Sequence, residues 1–199
     1  MPKEIIGLGK PKTPDELKDE IKKSVSFAES NVKTKEWGWA AFGYANAVKY
    51  CSKLGKPFKP ELKVYLEKAM TYGEKEIEGD IKENNYSAAA RGYNRLSSLN
   101  EEYGNKDLAY RYLALAEESY VKAADYEAAA NIAVSLNRME EARALFKCAY
   151  YKLAYEIAYG KIHKQRGPDL LPLRGLTRQG RMERLKMAFQ KLFGEKIDG

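Results

Sequence analysis

The sequence repeats itself in two places with one step. Trp39-x2-Phe42-Gly43 recurs as Tyr86-x2-Ala89-Ala90, and Leu62-x3-Leu66-x2-Ala69 recurs as Ala109-x3-Leu113-x2-Ala116, each copy 47 residues after the first. Residues three and four apart share a face of an α-helix, so both motifs are helical stripes, and their common step makes a pair of helices the repeating unit. A third copy, Tyr126-x2-Ala129-Ala130-x2-Ala133 followed by Ala142-x3-Phe146-x2-Ala149, arrives after a shorter interval. Small residues let two helices approach closely, and the larger ones fill the grooves beside them. No stretch alternates with period two, which leaves a sheet without support and sets the class as all-α. The chain has 199 residues, 44% of them hydrophobic, enough for a sizeable core. No run approaches the roughly eighteen apolar residues that a membrane span needs, and the first ten residues lack a signal-peptide core.

Start and stop signals place the helices. Thr13-Pro14-Asp15-Glu16 combines a cap, a Pro suited to the first helical position and a Glu that completes a capping box. A helix over 13–33 follows, with Leu17, Ile21, Val25, Ala28 and Val32 as its stripe. Further helices are predicted over 37–54, 60–77, 84–99, 106–123, 126–136 and 138–159, with Asn105, Asp125 and Asn137 as caps and Gly55 and Gly104 in turns. Gly160 ends the series; 161–180 reads as a basic linker broken by Gly167-Pro168, Pro172 and Gly175, and an amphipathic helix occupies 181–199.

The third unit resembles the tetratricopeptide pattern, in which W-x2-L-G-x2-Y precedes A-x3-F. The resemblance implies antiparallel helix pairs stacked as a short α-solenoid over 37–159, inside a repeat domain of 1–160 whose N-terminal cap is the 13–33 helix. Longer pairs, as in HEAT or soluble-attachment-protein arrays, share this layout and fit as well.

Catalysis has little to work with. His163, the single histidine, lies in a Lys/Arg-rich stretch, and Cys51 and Cys148 are far apart within helical patterns, as expected of free buried thiols. Neither a nucleophile–base pair nor a zinc set can be assembled from them. Glu101-Glu102, Glu117-Glu118 and Glu140-Glu141 are adjacent residues that do not face each other on a helix, and read as solvated edges. Gly7-Leu8-Gly9-Lys10 lacks the preceding strand of a phosphate loop, and Pro11 follows it. The expectation is a cytoplasmic protein that is not an enzyme and uses no metal or cofactor. A surplus of Lys and Glu over only three Gln leans towards a thermophile.

Binding is better supported. Opposite the packing stripe of Tyr86, Ala89, Ala90 and Tyr93 lie Asn84, Ser87, Arg91, Asn94 and Arg95; the equivalent face one unit later carries Glu127, Asn131, Val134 and Ser135. By the resemblance, this face lines a concave groove that takes a peptide or partner protein. Asn94 and Asn131 would bond its backbone, and Arg91 and Arg95 would take a carboxylate. Members that clamp a C-terminal carboxylate place a Lys where Glu127 stands. In the first unit the corresponding face, Trp37, Ala40, Tyr44, Ala47 and Val48, is too apolar for water and needs a cover, for which the 13–33 helix is nearest.

The net charge of +7 sits mainly at the C-terminus, where 161–199 holds 10 Lys and Arg against 4 Asp and Glu. Met182, Leu185, Ala188, Phe189, Leu192 and Phe193 share one arc of the last helix, flanked by cations. Arg174, Arg178, Arg181, Arg184, Phe189 and Phe193 are therefore candidate tail contacts. They would cap the chain's own repeats, exchange into a homodimer, or, as the alternative function, reach nucleic acid or a ribosome as a basic arm.

Overall fold

A computed structural model describes residues 12–55, 59–162, 178–194 and 197; at 156–162 and 178–179 only the helical backbone is described. Among these residues there are eight helices and no strand: α1 (Pro14–Thr34), α2 (Trp37–Leu54), α3 (Lys59–Lys82), α4 (Tyr86–Glu102), α5 (Lys106–Lys122), α6 (Tyr126–Ser135), α7 (Met139–Ile162) and α8 (Arg178–Phe193). They form two compact units, one ending at Lys82 and the other starting at Glu83. Within each unit, helices that follow one another in sequence lie side by side, which is compatible with a helical repeat.

Local chemistry sets the boundaries. The Thr13 capping box forms as expected: Glu16 N–H donates to Thr13 Oγ1 at 3.3 Å, and Thr13 N–H donates to Glu16 Oε2 at 2.6 Å. Four turns close in the same way. A residue with positive φ, namely Lys35, Gly104, Ala124 or Asn137, is followed by one whose N–H reaches back five residues: Glu36 to Asn31, Asn105 to Asn100, Asp125 to Tyr120 and Arg138 to Ala133, at 2.8–2.9 Å. This left-handed closure satisfies carbonyls that a helix end would otherwise leave open. Asp125 caps α6 through Ala128 N–H at 3.3 Å. Two expected caps act differently. Asn137 terminates α6 in the left-handed conformation, and Asn105 makes no side-chain cap but donates from Nδ2 to Asn100 Oδ1 at 3.1 Å. Asn100 is fully buried and donates in turn to Leu96 O at 2.8 Å, fixing the α4–α5 turn from inside.

In the first unit α1 lies on α2 where Gly43 stands. A Cβ there would come within 2.8 Å of Ala28 Cβ and 2.9 Å of the Ser24 carbonyl oxygen. Ile21 of α1 packs with Ala47 and Cys51. The apolar face of α2 is thus covered, but α1 covers only part of it. Trp37 stacks on Tyr72 at 5.8 Å, and Tyr44 lies between Tyr72 at 5.7 Å and Tyr65 at 6.2 Å, a run of four rings between α2 and α3. Lys68 and Lys75 lie over these rings.

The repeat register assigns Trp39 and Phe42 to packing, and here the structure corrects it. Both are exposed, because α2 carries aromatic residues on two faces and α3 takes the one with Trp37 and Tyr44.

In the second unit the expected alanines Ala90, Ala109, Ala116, Ala130, Ala142 and Ala149 are all buried. Ala90 and Ala116 share a cluster with Ala129 and Ile132, Tyr93 stacks on Tyr112, and Ser97 Oγ donates to Ala109 O at 2.8 Å. Cys51 is buried as expected, which pushes its thiol up to about 11, whereas Cys148 is exposed. Along α7, Tyr150 is buried, whereas Tyr151 and Tyr155 are exposed.

Candidate functional site

Helix α4 presents two opposite faces. Ala89, Ala90, Gly92 and Leu96 are buried; Arg91 and Arg95 are exposed, with Asn94 half-buried between them. Asn84 precedes the helix in the left-handed region at φ 58° and accepts from the Tyr86 hydroxyl at 3.3 Å. Arg91 makes no ion pair among the described residues. Asn131 is exposed on α6, one helical turn beyond Glu127.

Glu127 joins the two sets of residues that the sequence presents separately. Its side chain is mostly buried, and Arg181 Nε lies 3.1 Å from Oε2 while Arg184 Nη2 pairs with Oε1. Behind this pair of arginines, Leu185 and Phe189 of α8 are buried against Ala130, Phe146, Ala149 and Leu153, and Phe193 rests on Phe146. The C-terminal helix therefore docks on its own chain, across α6 and α7. A small pocket remains between Tyr126, Leu153 and Arg181. Of the tail candidates, Arg181, Arg184, Phe189 and Phe193 are engaged within the chain; Arg174 lies outside the described residues, as does the side chain of Arg178.

Glu117 corrects a second expectation. It is 3% exposed, where the Glu117-Glu118 pair read as a solvated edge. Position 117 is one turn from Leu113 and Tyr120 on the buried stripe of α5. Arg138 Nη1 lies 3.1 Å from Oε2 without the alignment of a hydrogen bond, and also pairs with Glu141 at 3.2 Å. Burial raises the Glu117 carboxyl above the usual range; Arg138 opposes this and Glu141 adds to it. A carboxyl raised on folding holds its proton more tightly in the native state, so its contribution to stability is complete at low pH and is lost as pH rises from the unfolded to the folded value. Glu117→Gln removes the ionisation and leaves Arg138 paired with Glu141. The expected result is a flatter stability curve above about pH 4.5 and a gain of about 1 kcal/mol near neutrality, read by urea unfolding at several pH values.

Among the described residues no group of three or more His, Cys, Asp or Glu is placed to hold a metal ion. No helix among them is long and apolar enough to cross a membrane. Compared with known protein families, curated proteins and solved structures, the chain matches none.

Proposed function

We propose that the chain is a non-enzymatic protein-interaction scaffold of the tetratricopeptide-like kind, working in the cytoplasm and binding an acidic peptide or partner segment along the outward faces of α4 and α6. The observation that carries this reading is Arg91: an exposed guanidinium with no ion pair among the described residues, on a helix whose opposite face is closed by alanine packing. Arg91 and Arg95 supply forked donors to a carboxylate. Asn94 and Asn131 offer amides that both donate to and accept from a peptide backbone.

The basic-arm alternative loses support, because Glu127 already neutralises two of its cations.

The test is anisotropy with labelled peptides that carry a C-terminal Asp or Glu. Arg91→Glu with Arg95→Glu should weaken binding by at least tenfold, since a charge-assisted hydrogen bond contributes about 1.5–3 kcal/mol. Charge reversal at Arg174 and Arg178 should leave it unchanged. The opposite pattern would move the activity to the tail.

A further inference from the structure

Phe27, Trp39 and Phe42 are large apolar side chains left in water, 44%, 57% and 53% exposed. They form one cluster: Phe27 meets Trp39 edge to face at 6.3 Å, and Trp39 meets Phe42 in the same way at 6.0 Å. Contiguous exposed rings of this size mark a contact surface.

The charges around the cluster say what it contacts. Helix α2 contains no Asp or Glu. At about 100° per residue, Lys49 and Lys53 fall within about 80° of Trp39, on the side of Phe42, and Lys35 sits in the turn before α2. None of these three lysines makes an ion pair among the described residues; Lys53 lies over the Tyr50 ring at 6.0 Å. The acids nearby are Glu36, at the start of α2, Glu76 of α3, whose carboxylate lies against Gly38, and Glu20, which Lys12 holds at 3.0 Å and Lys23 approaches to 3.9 Å.

We infer that this face of α1 and α2 docks on an anionic lipid surface, with Phe27, Trp39 and Phe42 entering the headgroup region and Lys35, Lys49 and Lys53 facing the lipid charges. Two features favour a bilayer over a folded partner. Two of the three rings are phenylalanines, which have no polar group to satisfy, and the third is the residue type that settles at membrane interfaces. Lysine side chains extend past an apolar contact to reach charge beyond it. A second copy of the same face would set these lysines against one another.

The experiment is sedimentation of the full chain with phosphatidylcholine vesicles, with and without phosphatidylglycerol, alongside tryptophan emission. The chain has two tryptophans, and Trp37 is half-buried on Tyr72, so Trp39 reports the contact. The expected result is retention on anionic vesicles alone, with a blue shift that disappears in Trp39→Phe. Lys49→Glu with Lys53→Glu should reduce partitioning by more than about tenfold, since each lysine contributes about fivefold near an anionic surface. Trp39→Ser with Phe42→Ser should abolish it with helicity unchanged, because both side chains lie outside the core. Absence of retention on anionic vesicles overturns the proposal, as does retention that survives the double Ser variant. A dimer in light scattering that the double Ser variant dissolves would assign the face to a second copy instead. Arg91→Glu with Arg95→Glu should leave vesicle binding intact, so this result stands or falls apart from the peptide site.

Discussion

Phe189→Ala should destabilise the second unit by about 3–5 kcal/mol, the usual cost of emptying a core phenylalanine site. The ring is 0% exposed, lies 4.8 Å from Phe193, and is enclosed with Leu185 by residues of α7. An internal cavity and a released helix would both lower the melting temperature, and hydrogen exchange separates them. If α8 stays docked, its amides keep their protection; if it leaves, exchange across 178–193 rises to the rate of a free helix while α4 and α5 stay protected. Phe189→Asp should force release, since it would place a carboxylate among the apolar side chains of α6 and α7, with the Lys147 ammonium 5.8 Å from the ring. Light scattering supplies the second readout: a helix docked on its own chain gives a monomer before and after substitution. Unchanged stability would show that the cluster around Phe146 does not depend on α8.

Tyr44→Ala should cost the first unit about as much, roughly 3–5 kcal/mol. Tyr44 is almost wholly buried and stacks on both Tyr65 and Tyr72, so its loss opens a cavity in the middle of the ring series and leaves Trp37 and Tyr72 supported from one side. Burial raises its hydroxyl pKa, so the phenol is neutral under ordinary conditions. Tyr44→Phe keeps the stack and should cost about 1 kcal/mol or less, the worth of one polar contact. Urea unfolding of the two variants checks the comparison. Equal losses would place the stability in the hydroxyl and not in the stacking.

The sequence made the helices legible because a periodic stripe was combined with a cap or turn signal: Thr13 at the start of α1, Gly104-Asn105 before α5 and Asp125 before α6. The docking of α8 was legible as one of three outcomes, since an amphipathic stripe states that a cover is needed without naming it. Trp39 was misassigned for a physical reason. Trp37 and Trp39 lie about 160° apart on α2 and are equally hydrophobic, so only the tertiary partner chooses which is buried. A usable signal was present, because Lys49 and Lys53 lie on the Trp39 side. Glu117 and Asn100 were missed because a polar residue on a buried stripe is recognised only through its partners, and Arg138 and Asn105 lie in turns whose geometry the periodicity does not encode. The candidate site was legible as far as its polar face; the junction of that face with the tail through Glu127 depends on a contact between residues 54 apart.

That separation bears on the order in which the chain can be made. A polypeptide leaves the ribosome from its N-terminus, so α6 and α7 are complete before residues 181–189 emerge. During that interval Phe146, Tyr150 and Leu153 have no helix over them. The nascent chain carries this apolar surface uncovered until α8 follows, and a message cut before the codon for residue 181 would leave a product that never covers it.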